Sequence, residues 1–108
     1  MSRLVVACVQ MRSGRDPVAN REAAIAGVAA ASDAGAAYVQ TPEMTGLLER
    51  DKAALFDKIR TQEEDETIAA LRAVARARAF TVHIGSLAVR VGDKVANRAV
   101  LILSLIHI

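Results

Sequence analysis

The stretch Tyr38-Val39-Gln40-Thr41-Pro42-Glu43-Met44-Thr45-Gly46 decides how this chain reads. Four residues of strand character run into Pro42, which fixes its own φ and has no amide to give to a sheet ladder. The strand therefore ends there. Glu43 follows at once, and Thr45-Gly46 reads as a turn. In α/β proteins, active sites gather in the crevice outside the carboxyl ends of the strands, which makes Glu43 the first candidate functional residue. An exposed loop carboxylate is the plain alternative for any Glu. The strand-end position and the rigid Pro42 set the functional reading beside it, because a general base gains from a fixed mount.

Upstream, Leu4-Val5-Val6-Ala7-Cys8-Val9 is a continuous apolar run, the pattern of a strand buried on both faces. Gln10 to Arg15 reads as a loop. Asp16-Pro17 opens a helix, with Asp as N-cap and Pro at the first helical position. Val18, Ile25, Val28, Ala29 and Ser32 then recur at helical spacing, while Asn20, Arg21 and Glu22 belong to the polar side. The many alanines let this helix lie close to a sheet, and Gly35 ends it. Strand, helix and strand in that order, with so long a crossover, predict a parallel pair.

Downstream, Leu47 to Arg60 is polar, with a short helix predicted around Lys52 to Lys58. The acidic run Glu63 to Glu66 leads into a helix carrying Ile68, Leu71 and Ala75, and Arg72, Arg76 and Arg78 stand toward its far end, in accord with the helix dipole. Thr81 to Leu87 reads as a third strand continuing toward Val91. Gly92-Asp93 is a two-residue hairpin signal, and Val95 to Leu103 is the returning strand.

Composition narrows the classes. The 108 residues make one domain at most, 53% hydrophobic and 3% aromatic, so the core is built from Ala, Val, Leu and Ile. The net charge is only +2, and eight of the twelve acids fall between Glu43 and Glu66. A nucleic-acid surface would need a basic stripe with stacking aromatics, and Tyr38, Phe56 and Phe80 are scattered. Leu4 to Val9 is too short for a signal-peptide core, and Ala99 to Ile108 is too short to span a bilayer. A lone cysteine excludes an internal disulfide and fits a reducing, cytoplasmic setting.

The remaining candidates read as structural. Cys8 lies within the apolar run, where a thiol is usually an inert small hydrophobe. His83 and His107 have no partner at metal-ligand spacing. There is no G-x-S-x-G elbow, no Walker loop and no G-x-G-x-x-G. Gly85-Ser86 reads as a strand-end feature, and Asn97-Arg98 as residues that secure a neighbouring loop.

Three anchors in order carry a family resemblance: Val5-Val6-Ala7-Cys8-Val9-Gln10-Met11, then Gly35 to Gly46 with its Thr41-Pro42-Glu43-Met44-Thr45-Gly46 core, then Ile84-Gly85-Ser86 followed by Asn97-Arg98-Ala99. Together they resemble the nitrilase superfamily, the carbon-nitrogen hydrolases. The resemblance covers the chain to about Ile102 and implies the first part of a domain more than twice as long. It implies an α/β fold, the N-terminal part of an α-β-β-α sandwich laid out as βαβ, then αβ and a β-hairpin, in a protein that forms a homodimer or higher oligomer. It also implies hydrolysis of a small carboxamide by a Glu, a Lys and a Cys, without metal or organic cofactor. The pattern looks more like the amidase branches related to ω-amidase and deaminated-glutathione amidase than the aromatic nitrilases.

Within that resemblance Glu43 matches the family Glu, general base toward the Cys thiol and proton donor to the leaving amine. The family Lys, which stabilises the oxyanion, and the nucleophilic Cys belong to segments past the hairpin. Cys8, in the first strand, and Lys94, at the hairpin turn, match neither. Residues that act as a unit lose nearly all their effect when one is missing, so the chain by itself is expected to be inactive. The run 103–108 departs from the family pattern and is expected to be a non-native tail. The competing reading is a short non-catalytic α/β module that binds a partner through an exposed sheet edge.

Overall fold

In the computed structural model, which describes residues 3–103, four strands and three α-helices form one mixed sheet with its helical cover. Chain order is β1 (Val6–Cys8), α1 (Pro17–Asp33), β2 (Tyr38–Thr41), α2 (Lys52–Lys58), a 3₁₀ turn (Gln62–Glu64), α3 (Glu66–Arg78), β3 (Thr81–Val91) and β4 (Lys94–Ile102). Spatial order is the same, β1-β2-β3-β4. β1 pairs with β2, and β2 with β3, in parallel; β3 and β4 form the antiparallel hairpin, with Val91 opposite Lys94. Gly92 at its tip has φ +62, a conformation that glycine adopts without strain. Residues 104–108 lie outside the described region, and with them most of the segment expected to be a non-native tail.

Local chemistry accounts for the helix starts. The Asp16 carboxylate accepts from the Val18 amide at 3.0 Å, with Pro17 behind it. Asp51 caps α2 through the Ala54 amide at 3.1 Å, and Asp65 caps α3 through the Ile68 amide at 2.8 Å. α1 stops at Ala34, where Gly35 turns the chain at φ +94.

α1 and α3 lie side by side on one face of the sheet. Arg21 meets Glu66 at 2.7 Å near the starts of the two helices, and Arg78 meets Asp33 near their ends, so they run in the same direction. Both pairs are exposed, and such pairs contribute little. The stabilisation comes from beneath them: Ala24, Val28, Ile68, Leu71 and Ala75 pack on Val39, Val82, Ile84, Leu87 and Val89. Burying each of the larger side chains contributes about 1.5–3 kcal/mol. A Cβ on Gly27 would come 2.5 Å from a Val9 methyl, which shows how closely α1 approaches the first strand.

Several residues face differently from what the sequence predicts. The first strand is not buried on both faces: it is limited to Val6–Cys8 at the sheet edge, and Val6 is 57% exposed. Side chains alternate along a strand, so Ala7 and Val9 reach the core while Val6 and Cys8 point to the face opposite α1 and α3. Cys8 is therefore exposed, not a core residue. In α1 the inward positions are Asn20, Ala24 and Val28, whereas Val18 is 49% exposed.

β3 also differs. Gly85-Ser86 does not end the strand; it interrupts it. Ile84 pairs with Val100 and Leu87 with Arg98, which leaves Gly85 and Ser86 opposite the single residue Ala99, the count of a β-bulge. The bulge shifts the phase of the strand by one. Before it the core-facing residues are Val82 and Ile84; after it they are Leu87 and Val89. Ala88 turns the other way and meets Leu47 and Ile59 in a second small cluster, with Leu55 and Phe56 at its side. Arg90 closes that cluster, its guanidinium 4.5 Å above the Phe56 ring and donating to the Phe56 carbonyl.

Candidate active site

Parallel pairing of β1, β2 and β3 brings their carboxyl ends to one side of the sheet, and Glu43 stands there, two residues past the end of β2. Its side chain is exposed, and among the described residues its carboxylate has no hydrogen bond or ion pair. Everything around it is fixed instead through the backbone.

The turn that carries Glu43 is held from two sides. From β3, the Ser86 carbonyl accepts from the Thr45 amide at 3.0 Å, the Ser86 amide donates to the Pro42 carbonyl at 3.4 Å, and Ser86 Oγ accepts from the Met44 amide at 3.0 Å. From within, Thr45 Oγ1 donates to the Pro42 carbonyl and lies 2.8 Å from Thr41 Oγ1, with both threonines buried. Met44, directly after Glu43, has φ 55, a left-handed conformation uncommon for a residue with a Cβ.

A second clamp lies after the turn. Asn20 of α1, a buried residue, accepts from the Gly14 amide at 2.9 Å and donates to the carbonyls of Gly14 at 2.8 Å and Gly46 at 3.0 Å. One side chain thus joins the loop after β1 to the loop after β2. The Leu48 amide adds a bond to the Gly14 carbonyl at 2.9 Å. Farther along, Lys58 bridges Glu49 and the Arg15 carbonyl, each at 2.8 Å. The hydrogen bond from Lys58 holds the Glu49 carboxyl below its ordinary range.

A cavity of about 380 Å³ opens between the starts of α1 and α3, lined among others by Val18, Arg21, Leu47, Lys58, Arg60 and Asp65. Glu43 does not line it. Arg21 is paired with Glu66 and Lys58 with Glu49.

Of the residues singled out in the sequence, the structure places only Glu43 at the strand ends with an open carboxylate. Cys8 lies on the exposed sheet face in register with Gln40, which is in register with His83. His83 Nδ1 is 2.6 Å from the Tyr38 hydroxyl. Lys94 is at the hairpin tip, and Arg98 donates to Gln62 Oε1 at 2.8 Å, securing the 3₁₀ turn as its sequence context implies. Sequence reasoning missed Ser86 and Asn20 as supports of the Glu43 turn. Gly85 was the available signal, since a glycine inside a strand marks a bulge or a close backbone approach.

No protein-family model matches this sequence, and none of the curated proteins matches it. Solved structures do. An amidase from Nesterenkonia sp. superposes with a TM-score of 0.73 at 24% identity, over 91% of this chain and 37% of that one. XC1258 from Xanthomonas campestris, a CN-hydrolase superfamily protein with an arsenic adduct in its active site, gives 0.73 at 22% identity, over 95% and 37%. Saccharomyces cerevisiae Nit3, a member of branch 10 of the nitrilase superfamily, gives 0.72 at 19%, over 93% and 40%. The likeness is one of fold: the α/β arrangement seen here superposes on part of each of these proteins, and the chain spans well under half the length of each of them.

Proposed function

We propose that this chain is the glutamate-bearing, N-terminal part of a carbon-nitrogen hydrolase that, when complete, cleaves a small carboxamide. The observation that carries the reading is the exposed carboxylate of Glu43, without a hydrogen-bond or ion-pair partner among the described residues, on a doubly clamped turn at the carboxyl ends of parallel strands. The shared fold supports it. So do two Nesterenkonia amidase structures, each a variant at a glutamate, that show acrylamide and the acetamide moiety of fluoroacetamide added at the active-site cysteine of that enzyme.

In this reading Glu43 takes the proton of a cysteine thiol supplied by a segment beyond this chain. The thiolate attacks the amide carbonyl, and a lysine, also from beyond, stabilises the resulting oxyanion. Glu43 returns the proton to the nitrogen as the C–N bond breaks, which releases ammonia and leaves a thioester. Water, deprotonated by the same carboxylate, hydrolyses the thioester. In this reading Cys8 is not that nucleophile: it is the last residue of β1, and its side chain lies exposed on the sheet face opposite α1 and α3.

The test is ammonia release by the protein translated from the complete reading frame that carries this segment. Glu43→Gln keeps the size of the side chain and removes the proton transfer, so turnover falls by roughly a thousandfold or more without loss of folding. Normal turnover by that variant would overturn the assignment. The 108-residue chain alone releases no ammonia from the same amides.

A second reading, a non-catalytic module, is favoured by the exposed apolar residues Leu4, Val5, Val6 and Leu101 in or beside the edge strands. A complete reading frame that lacks a Lys- and Cys-bearing continuation would favour it over the hydrolase.

A further inference from the structure

We infer that Ser86 is a positioning residue for Glu43, acting through the β3 bulge; the inference rests on the catalytic role proposed for Glu43. The carboxylate has no hydrogen bond or ion pair among the described residues, so no polar partner fixes it and its place is set through the backbone on either side of it. Three of the residues around it, Pro42, Met44 and Thr45, are each bonded to Ser86. Two of those bonds use the Ser86 backbone and would survive replacement of the side chain. The third, from the Met44 amide to Ser86 Oγ, is what the serine adds.

That third bond holds the residue under strain. Met44 sits at φ 55, where the backbone does not rest unless its surroundings hold it. The bulge is what brings the hydroxyl there. With Gly85 and Ser86 together facing the single residue Ala99, β3 presses its backbone against Thr41 and Pro42 and turns a buried serine toward the Met44 amide. Without Oγ that amide has no acceptor among the described residues, and the turn is free to relax from the left-handed conformation. Glu43 then loses its fixed position, though the sheet and both helices keep all their contacts. Catalytic geometry tolerates about half an ångström of misplacement, and an error of about one ångström costs roughly a hundredfold in rate.

The experiment measures backbone order in the isotopically labelled 108-residue chain by NMR relaxation, for Ser86→Ala against the parent. The expected result is a fall in the amide order parameters of Glu43 and Met44 from about 0.85 to below about 0.6, with Val39 and Val82 unchanged. Ser86→Cys, near-isosteric and with a weak sulfur acceptor, falls between the two and carries the same reading should the alanine variant fold poorly. Glu43 remaining rigid in a folded variant would overturn the inference, as would an equal loss of order at Val39 and Val82, which marks a general structural role. Neither result bears on the chemistry of Glu43. A rigid Glu43 in Ser86→Ala beside an inactive Glu43→Gln enzyme would remove the positioning role and leave the proposed function standing.

Discussion

Gly85 lies so close to Thr41 that a Cβ at position 85 would collide with the Thr41 carbonyl oxygen and come 2.7 Å from the Pro42 carbonyl carbon. The obstacle is backbone, which cannot swing aside as a flexible side chain does. β3 can therefore support the Glu43 turn only if residue 85 has no side chain.

Gly85→Ala forces the turn away from β3 and strains the bulge. Overpacking of this kind costs about 1–3 kcal/mol, and the loss of the Ser86 bonds places this site toward the upper end. Urea denaturation measures it as a lower midpoint. Gly14→Ala is the control: no atom lies within 4 Å of its would-be Cβ, and the midpoint moves by less than about 0.5 kcal/mol equivalent. Equal effects at the two sites would contradict the close-approach argument.

Asn20→Ala leaves the Gly14 amide and the Gly46 carbonyl without their side-chain partner, while the Gly14 carbonyl keeps its bond from the Leu48 amide. Orphaned groups of this kind cost about 1–3 kcal/mol. Beyond the loss of stability, amide exchange should quicken at Gly14 and along residues 46–48 while the core strands hold. A surface-like effect under 0.5 kcal/mol would show that Asn20 is not the joint between the two loops.

Two carboxyls respond to pH in opposite directions. Burial pushes Asp65 above its ordinary value of 3.8, against the pull of the Ile68 and Thr67 amides. A raised folded pKa favours folding at low pH, and that contribution is lost as pH rises through the folded value. Asp65→Asn keeps an acceptor for the cap and never ionises, so it should gain on the parent as pH rises above about 3.8. Glu49, lowered from 4.5 by Lys58, contributes above 4.5 and loses that contribution as pH falls through its folded value. Glu49→Gln should therefore be less stable than the parent at pH 7 and converge with it in acid. Denaturation midpoints from pH 3 to 7 check both signs.

Cys8 is exposed and contributes to neither hydrophobic cluster. Ellman's reagent should label it in the native chain at the rate of a free thiol, and Cys8→Ser should change stability by less than about 0.5 kcal/mol. Labelling that requires denaturant would show that this face of the sheet is covered in solution.

Much of the fold was legible because its signals are local. Asp16-Pro17 starts α1, Pro42 ends β2 and Gly92-Asp93 turns the hairpin, each through φ restriction or a hydrogen bond within a few residues. The short helix Lys52–Lys58 also forms as predicted, with Asp51 as its cap. Glu43 was legible for the same reason: strand, proline and turn are adjacent in sequence. Burial was less so. Val18 and Asn20 exchange their predicted faces because α1 meets a loop joint near its start, where a polar side chain satisfies backbone groups that an apolar one would orphan.

What the sequence by itself determined is the order and ends of the elements and the carboxylate at the strand end, since periodicity and capping act over a few residues. Only the tertiary structure decided which faces are covered and how Glu43 is held. The same apolar run reads as buried on both faces until α1 covers one side and leaves Val6 and Cys8 on the other. The bulge at Gly85-Ser86 appears only when β3 meets both the Thr41-Pro42 backbone and β4, contacts that span more than ten residues of chain. Such contacts depend on which surfaces meet in space, and no local propensity encodes that.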